Sequence, residues 1–182
     1  MTTRGRPPGS ALDSAAAVTP RHCLVCGARL RATREHRFRR WRCPRCGWTF
    51  YDNPVPATVA IVVGPRGVLL CRRAADPFAG TWDLAGGFLE AGERPERGLR
   101  REVREELGAR VRRARFVGFE IDRYGVDGAP VLGLVFEVRL RGRVRARSDV
   151  SEARWFPRDE IPWRRIGFRS IRRALRAYLR RR

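Results

Sequence analysis

The stretch Gly87–Ala109, GFLEAGERPERGLRREVREELGA, packs six glutamates into a chain whose formal net charge is +21. Acid is scarce elsewhere, so this cluster needs a physical reason. Glu102, Glu105 and Glu106 stand at i, i+3 and i+4. That spacing predicts one face of an α-helix, with neighbouring side chains about 5–6 Å apart. Like charges this close repel by roughly a few tenths of a kcal/mol per pair. A divalent cation reverses the sign of that interaction, and hard cations such as Mg²⁺ take oxygen ligands while leaving room for substrate phosphates. The cluster therefore points to a metal site for phosphate chemistry. The competing explanation is a solvated helix held by (i, i+4) ion pairs such as Arg101–Glu105.

Counted from Gly87, the segment reads G-x5-E-x7-R-E-U-x-E-E-x-G-U, with Gly87, Glu93, Arg101, Glu102, Val103, Glu105, Glu106 and Gly108 in register. This pattern resembles the signature box of the Nudix hydrolase family; Ala109 stands where a larger aliphatic residue is usual. The resemblance implies an α/β fold, the Nudix α/β/α sandwich with a mixed sheet. It also implies hydrolysis of a pyrophosphate bond in a nucleoside diphosphate linked to another group. Carried over by position, it makes Glu102 and Glu106 the principal Mg²⁺ or Mn²⁺ ligands, with Glu105 beside them and the Gly86 carbonyl completing the shell. Arg101, Gly87 and Glu93 then have an orienting role. Family members also recruit a general base from a loop outside the box. Glu152 is the candidate carried forward, with Asp149 beside it and Glu120, Glu137, Glu102 and Glu105 as alternatives. The plainer reading of Glu152 is a surface ion pair.

The helix itself is legible. Pro95 suits a first turn, where its missing N–H costs nothing. Leu99, Val103 and Leu107 recur at i, i+4 and i+8 and form an apolar stripe. Gly108 supplies a C-terminal stop. Arg94 is a poor N-cap, and Gly98 costs about 1 kcal/mol relative to Ala, so docking of the stripe must offset both.

Ahead of this domain, Cys23-x2-Cys26 and Cys43-x2-Cys46 form two pairs, each followed by a glycine, Gly27 and Gly47. Two such turns match a zinc ribbon in which four thiolates close a tetrahedral, structural Zn²⁺ site. Disulfides are the competing reading, disfavoured in a chain that looks cytoplasmic. Cys71, in the apolar run VLLCRR, reads as a buried strand residue. His22 and His36 read as surface residues. Trp41, Trp48 and Phe50 could stack on bases, but covering the small ribbon against the main domain is the preferred reading.

The first twenty residues lack a signal-peptide core and read as a disordered lead-in. Residues 21–52 form the ribbon and 53–182 the Nudix domain, with Asn53-Pro54 and Pro56 marking the linker. ATVAIVV and VLLCRR are strands joined by Gly64-Pro65-Arg66-Gly67, which signals a hairpin. RFVGFEID and VLGLVFEVRL are strands around the turn Gly125–Pro130, and ARWF is a short strand ending at Pro157. FRSIRRALRAYLRR reads as an amphipathic helix, with Ile171, Leu175 and Tyr178 or Leu179 on one face.

No run of about 18 apolar residues occurs, so no membrane span is expected. The chain holds 40 basic residues against 19 acidic, and every basic residue is arginine. GC-rich coding explains the missing lysine but not the excess. A field of this sign steers anionic nucleotides and allows nonspecific nucleic-acid binding.

The nearest architectural parallel is the group of Nudix enzymes with a leading zinc ribbon, which includes NADH pyrophosphatases. Their substrate motif, Ser-Gln-Pro-Trp-Pro-Phe-Pro, is replaced here by RFVGFEIDRYGVDGAPV, and the usual Pro before the Gly pair is Ala85. The expected substrate is therefore ADP-ribose or a related nucleoside diphosphate derivative. Two alternatives stand beside it: a nucleic-acid-binding or regulatory Nudix protein that senses a nucleotide, and an RNA-decapping Nudix enzyme. A homodimer is suggested by the resemblance alone, since no residue demonstrates an interface.

Overall fold

In the strand Val55–Gly64, Ala60 and Val62 bury toward one side and Ile61 toward the other. Such alternation of apolar residues on both faces belongs to a strand covered above and below. A computed structural model describes residues 20–125 and 128–181 of the chain. The lead-in read as disordered lies outside the described residues up to position 19, as do Val126 and Asp127 in the predicted turn.

Nine strands and two α-helices are present among the described residues. Strands β1 (Arg31–Glu35), β2 (Phe38–Arg42) and β3 (Thr49–Phe50) make a small antiparallel sheet. The main mixed sheet is built from β4 (Val55–Gly64), β5 (Gly67–Arg73), β6 (Trp82–Asp83), β7 (Arg110–Arg123), β8 (Pro130–Arg141) and β9 (Val150–Phe156). Its order is β6-β5-β4-β8-β7, with β9 on β5. β4 and β8 run parallel, from Val55↔Val131 to Val62↔Val138, and the other pairs are antiparallel.

Helix α1 (Pro95–Leu107) buries Leu99, Val103 and Leu107 in one cluster with Ala60, Val62, Leu69, Cys71, Phe136 and Val138. Helix α2 (Arg169–Arg180) buries Ile171, Ala174, Leu175 and Tyr178 in a second cluster with Ile61, Val68, Leu70 and Val135. The result is an α/β/α sandwich. Each fully buried Leu contributes about 1.5–3 kcal/mol relative to exposure. That is enough to offset the cap of α1, where Arg94 makes no side-chain capping bond. Gly98 has a packing reason: a Cβ there would collide with Leu89. Gly108 closes the helix at φ 60°, its N–H donating to the Arg104 carbonyl.

Three expectations shift. β4 begins at Val55 because its parallel pairing with β8 runs through Pro56. β7 starts at Arg110, well before RFVGFEID, because β8 supplies hydrogen-bond partners along its whole length, across two bulges. The polar segment RVRRA carries no hydrophobic period that would announce a strand. Trp41 and Trp48 pack on the ribbon's own buried cluster of Cys23, Leu30 and Cys43. Phe50 lies against both indoles, with centroids 6.2 and 6.4 Å away.

Candidate active site

The loop between β6 and α1 crosses the edge of β4, bridged at Ala60↔Ala85 and Ala57↔Phe88. Thr58 N–H donates to the Gly87 carbonyl at 2.8 Å. This pairing lays Gly86 and Gly87 against the carboxylates of α1. Gly86 has φ 147°, and a Cβ there would run into the Thr58 carbonyl oxygen. A Cβ on Gly87 would lie 2.5 Å from the Glu102 carboxylate. Only glycine permits both approaches.

Glu102, Glu105 and Glu106 share one face of α1 but not one environment. Glu106 is buried, and its Oε2 accepts the Gly86 N–H at 2.9 Å. Burial, then the charges of Asp149, Glu102 and Asp83, push its carboxyl well above the usual range, and the Gly86 bond only partly opposes them. Glu102 is also raised, first by burial and then by Glu105 and Asp149, against the pull of Arg101. Glu105 is the most exposed of the three, with side-chain exposure of 48%.

Arg101 is the clamp. Its Nε and one Nη donate to the two Glu93 oxygens at 3.1 and 2.9 Å. That second Nη also reaches the Phe88 carbonyl at 2.9 Å. The other Nη donates to Glu102 at 2.6 Å and Glu105 at 3.3 Å. This two-pronged grip uses the planar fork that only guanidinium offers. Hydrogen bonds from Arg101 hold Glu93 down to about 2.

No ion pair among the described residues reaches Glu106, so its ionised form lacks a cation. The buried Glu106, the partly buried Glu102, Glu105 beside them and backbone oxygen nearby form a hard-oxygen donor set suited to a divalent cation. The residues present therefore fit the metal that the sequence implies.

The site opens into a cavity of about 680 Å³ lined by Gly86, Gly87, Glu102, Asp149 and residues of β4, β8 and α2. Phe88 and Tyr124 meet at 5.2 Å and Tyr124 stacks on Phe168 at 5.9 Å. Arg73 lies over Phe168 at 5.2 Å and pairs with Asp83 at 3.1 Å. Asp83 is nonetheless raised, because burial outweighs Arg73. Asp122 accepts the Ser170 N–H at 2.7 Å, satisfying the first turn of α2 from β7. Burial opposes its ionisation, yet this bond and the Arg123 N–H lower it. Thr58 also lines the cavity; its buried hydroxyl has no hydrogen-bond partner among the described residues.

The base candidates separate. Asp149 lines the cavity and its charge bears on both Glu102 and Glu106. Glu152 is not among the lining residues and pairs with Arg72 at 3.6 Å on the surface. The reason is register: Glu152 stands opposite Arg72 in the β5–β9 ladder. Glu120 lines the cavity but is held by Arg173 at 2.8 Å. Glu137 pairs with Arg115 at 2.7 Å. Arg73, Asp83, Asp122, Tyr124 and Phe168 were not legible as site residues, since strand pairing and the docking of α2 bring them together.

At the ribbon, the four cysteines are free thiols, and their sulfur atoms all lie within 4.8 Å of one another. Cys23–Cys46 and Cys26–Cys43 are 3.6 and 3.5 Å apart. A tetrahedron with metal–sulfur bonds of about 2.3 Å has edges of about 3.8 Å, so the cluster fits one ion. Gly27 and Gly47, at φ 72° and 79°, tighten the two turns alike. Burial opposes ionisation of Cys43, but the Cys46 and Arg45 N–H groups and the Cys26 and Cys46 thiols outweigh it and lower its thiol. At Cys46 the Trp48 N–H is overcome by burial and the neighbouring sulfurs, which push that thiol up. His22 and His36 are both exposed.

The family described as NUDIX domain matches residues 53–178. A Pseudomonas aeruginosa protein named NAD-capped RNA hydrolase NudC is 31% identical over 142 residues, 78% of this chain and 49% of that protein. The chain thus spans about half the length of that relative. A Methanocaldococcus jannaschii protein named ADP-ribose pyrophosphatase is 29% identical over 116 residues, 63% of this chain and 69% of the relative. The crystal structure of a NUDIX hydrolase from Nitrosomonas europaea superposes with a TM-score of 0.71 at 28% identity, covering 90% of this chain and 92% of its own.

Proposed function

This chain belongs to the Nudix family, and on that premise we propose that it hydrolyses a pyrophosphate bond in a nucleoside diphosphate derivative, with ADP-ribose as the leading substrate. The observation that carries the reading is Glu106, a buried carboxylate with no ion-pair partner among the described residues, whose neighbour Glu102 lines the cavity. Glu102, Glu105 and Glu106, with the Gly86 backbone, would hold Mg²⁺ or Mn²⁺. Such an ion, when bound, supplies neutralisation of pyrophosphate charge and a more acidic attacking water.

The chain's own residues do the rest. Gly86 N–H fixes the Glu106 carboxylate, and Arg101 fixes Glu102 while Glu93 holds Arg101. Asp149 accepts a proton from the attacking water, being the carboxylate outside the helix that faces both glutamates. Phe88, Tyr124 and Phe168 offer an apolar wall for a base or ribose, and Arg73 beside them offers positive charge to a phosphate. Water attacks one phosphorus, the bridging P–O bond breaks, and a nucleoside monophosphate leaves. The four cysteines hold one structural Zn²⁺. A reducing, cytoplasmic setting would keep these thiols available as metal ligands. No helix among the described residues is long and apolar enough to cross a membrane.

RNA decapping is the second reading, favoured by the net charge of +21. A panel of ADP-ribose, NADH, nucleotide sugars, dinucleoside polyphosphates, nucleoside triphosphates and capped RNA, assayed with Mg²⁺ or Mn²⁺, tests both. Release of nucleoside monophosphate that Glu106→Gln abolishes is the expected result. Silence across the panel would overturn the hydrolase reading.

A further inference from the structure

At the far end of β4 and β8 from the cavity, a groove of about 1250 Å³ is lined by Arg66, Arg112, Arg113, Arg139, Arg143 and Arg154, with no acidic residue in its lining. Among the described residues none of these six guanidinium groups takes part in an ion pair, although other arginines of the same sheet do. The contrast is sharpest along β7 and β8. Arg115 stands opposite Glu137 and pairs with it at 2.7 Å, whereas Arg113 stands opposite Arg139. Like charges directly opposite in a ladder are destabilising. The groove therefore concentrates positive charge that no carboxylate among the described residues pairs with, although Arg154 also lies over the Phe156 ring at 5.0 Å.

An aromatic ring completes it. Trp155 is half-buried in the same lining, with the Arg66 guanidinium 5.4 Å from its ring. Gly64 allows the indole to lie close on the β4–β5 hairpin, since a Cβ there would sit 2.8 Å from Trp155 Cη2. Arg139 is anchored by donating to the Val63 carbonyl at 3.2 Å. The groove is thus a concavity with an arginine rim and one half-buried indole, which also packs against the apolar cluster beneath α1.

We propose that this groove is a binding site for single-stranded nucleic acid, separate from the hydrolytic site, with phosphodiesters on the arginines and one unpaired base on Trp155. A positively charged groove with an aromatic platform is the arrangement that suits a single strand, because an exposed base stacks and its backbone neutralises the charge. The volume and the number of arginines exceed what one phosphate needs. A recessed indole in a concavity presents no protruding apolar surface to a lipid bilayer. Along β4 the cavity lining ends at Val59 and the groove lining begins at Val63, four steps or about 13 Å at ~3.3 Å per residue. The proposal stands whether or not the hydrolytic reading does, because its readout is binding.

The test is fluorescence anisotropy of the full chain with labelled oligoadenylate of about 12 nucleotides across a salt series. Wild type should bind with an affinity that falls steeply with salt, by a log–log slope of about −0.7 per phosphate contacted. The triple variant Arg113→Glu/Arg143→Glu/Arg154→Glu should bind at least about tenfold more weakly and flatten that slope by about 2. Trp155→Leu should cost about tenfold in affinity while leaving the slope unchanged, as loss of stacking alone requires. Circular dichroism checks folding. If the triple variant fails to fold, Arg143→Glu alone decides, because that side chain makes no hydrogen bond or ion pair among the described residues. Wild-type affinity in these variants would overturn the proposal. So would displacement by duplex or phosphatidylserine vesicles as effective as by unlabelled single strand.

Discussion

Gly86 N–H donates to Glu106 Oε2 across 2.9 Å, tying the loop after β6 to the innermost carboxylate of α1. The bond orients Glu106 without neutralising it. Glu106→Gln should keep this bond, because an amide oxygen accepts the same hydrogen. Turnover should fall by more than roughly 100-fold, the upper end for losing only a supporting partner of a metal site. Near-wild-type circular dichroism with lost activity is the expected pair of results; wild-type turnover would remove Glu106 from the chemistry.

Gly87 is packed against Glu102 with no room for a methyl group. Gly87→Ala forces the Glu102 carboxylate to move away from Arg101 and the loop. The expected outcome is a reduced kcat with little change in melting temperature. A variant as stable and active as wild type would show that the loop yields freely.

Asp149 and Glu152 make a matched pair of controls. Asp149→Asn should lower kcat by about 10²-fold or more, the lower range for losing a general base. Glu152→Gln removes only a surface partner of Arg72 and should leave kcat unchanged, with stability altered by less than about 1 kcal/mol. The reverse pattern would restore Glu152 as the base.

Glu93 is held down to about 2 by Arg101, below the ordinary unfolded value of about 4.3. A lowered carboxyl contributes stability that is fully present above the unfolded value and lost as pH falls toward the folded one. The gap in urea-unfolding stability between wild type and Glu93→Gln should therefore be constant above about pH 5 and close between there and pH 2. A gap independent of pH across that window would refute the pairing.

Metal analysis should find about one Zn per chain. Chelation should unfold the ribbon, whose buried cluster is its own, and leave the main sheet intact. Loss of near-ultraviolet signal from Trp41 and Trp48 without loss of main-domain structure is the expected readout. A zinc-free protein with an ordered ribbon would exclude the site.

Much of this molecule was written locally. The i, i+3, i+4 glutamates, the stripe of Leu99, Val103 and Leu107, the αL stop at Gly108 and the two Cys-x-x-Cys-Gly turns depend on near neighbours in the chain. Helix periodicity and turn chemistry report such neighbours directly. The hairpin at Gly64–Gly67 and the apolar face of α2 were legible for the same reason.

Other features depend on partners far away in sequence. The first half of β7 is a strand because β8 offers it hydrogen bonds, not because its arginines prefer one. Asp149 faces the glutamates while Glu152, three positions later, faces Arg72, a choice made by the β5–β9 register. The aromatic wall of Phe88, Tyr124 and Phe168 joins a loop, the end of β7 and the start of α2. The six arginines of the groove come from hairpins and strand ends that only the closed sheet assembles. The sequence by itself determined the family, the glutamate-bearing helix and the two cysteine turns, because fixed spacing along one chain carries that information. Tertiary structure decided which carboxylates meet, where the cavity opens and where uncompensated charge collects, because those depend on long-range pairing whose register no local pattern encodes.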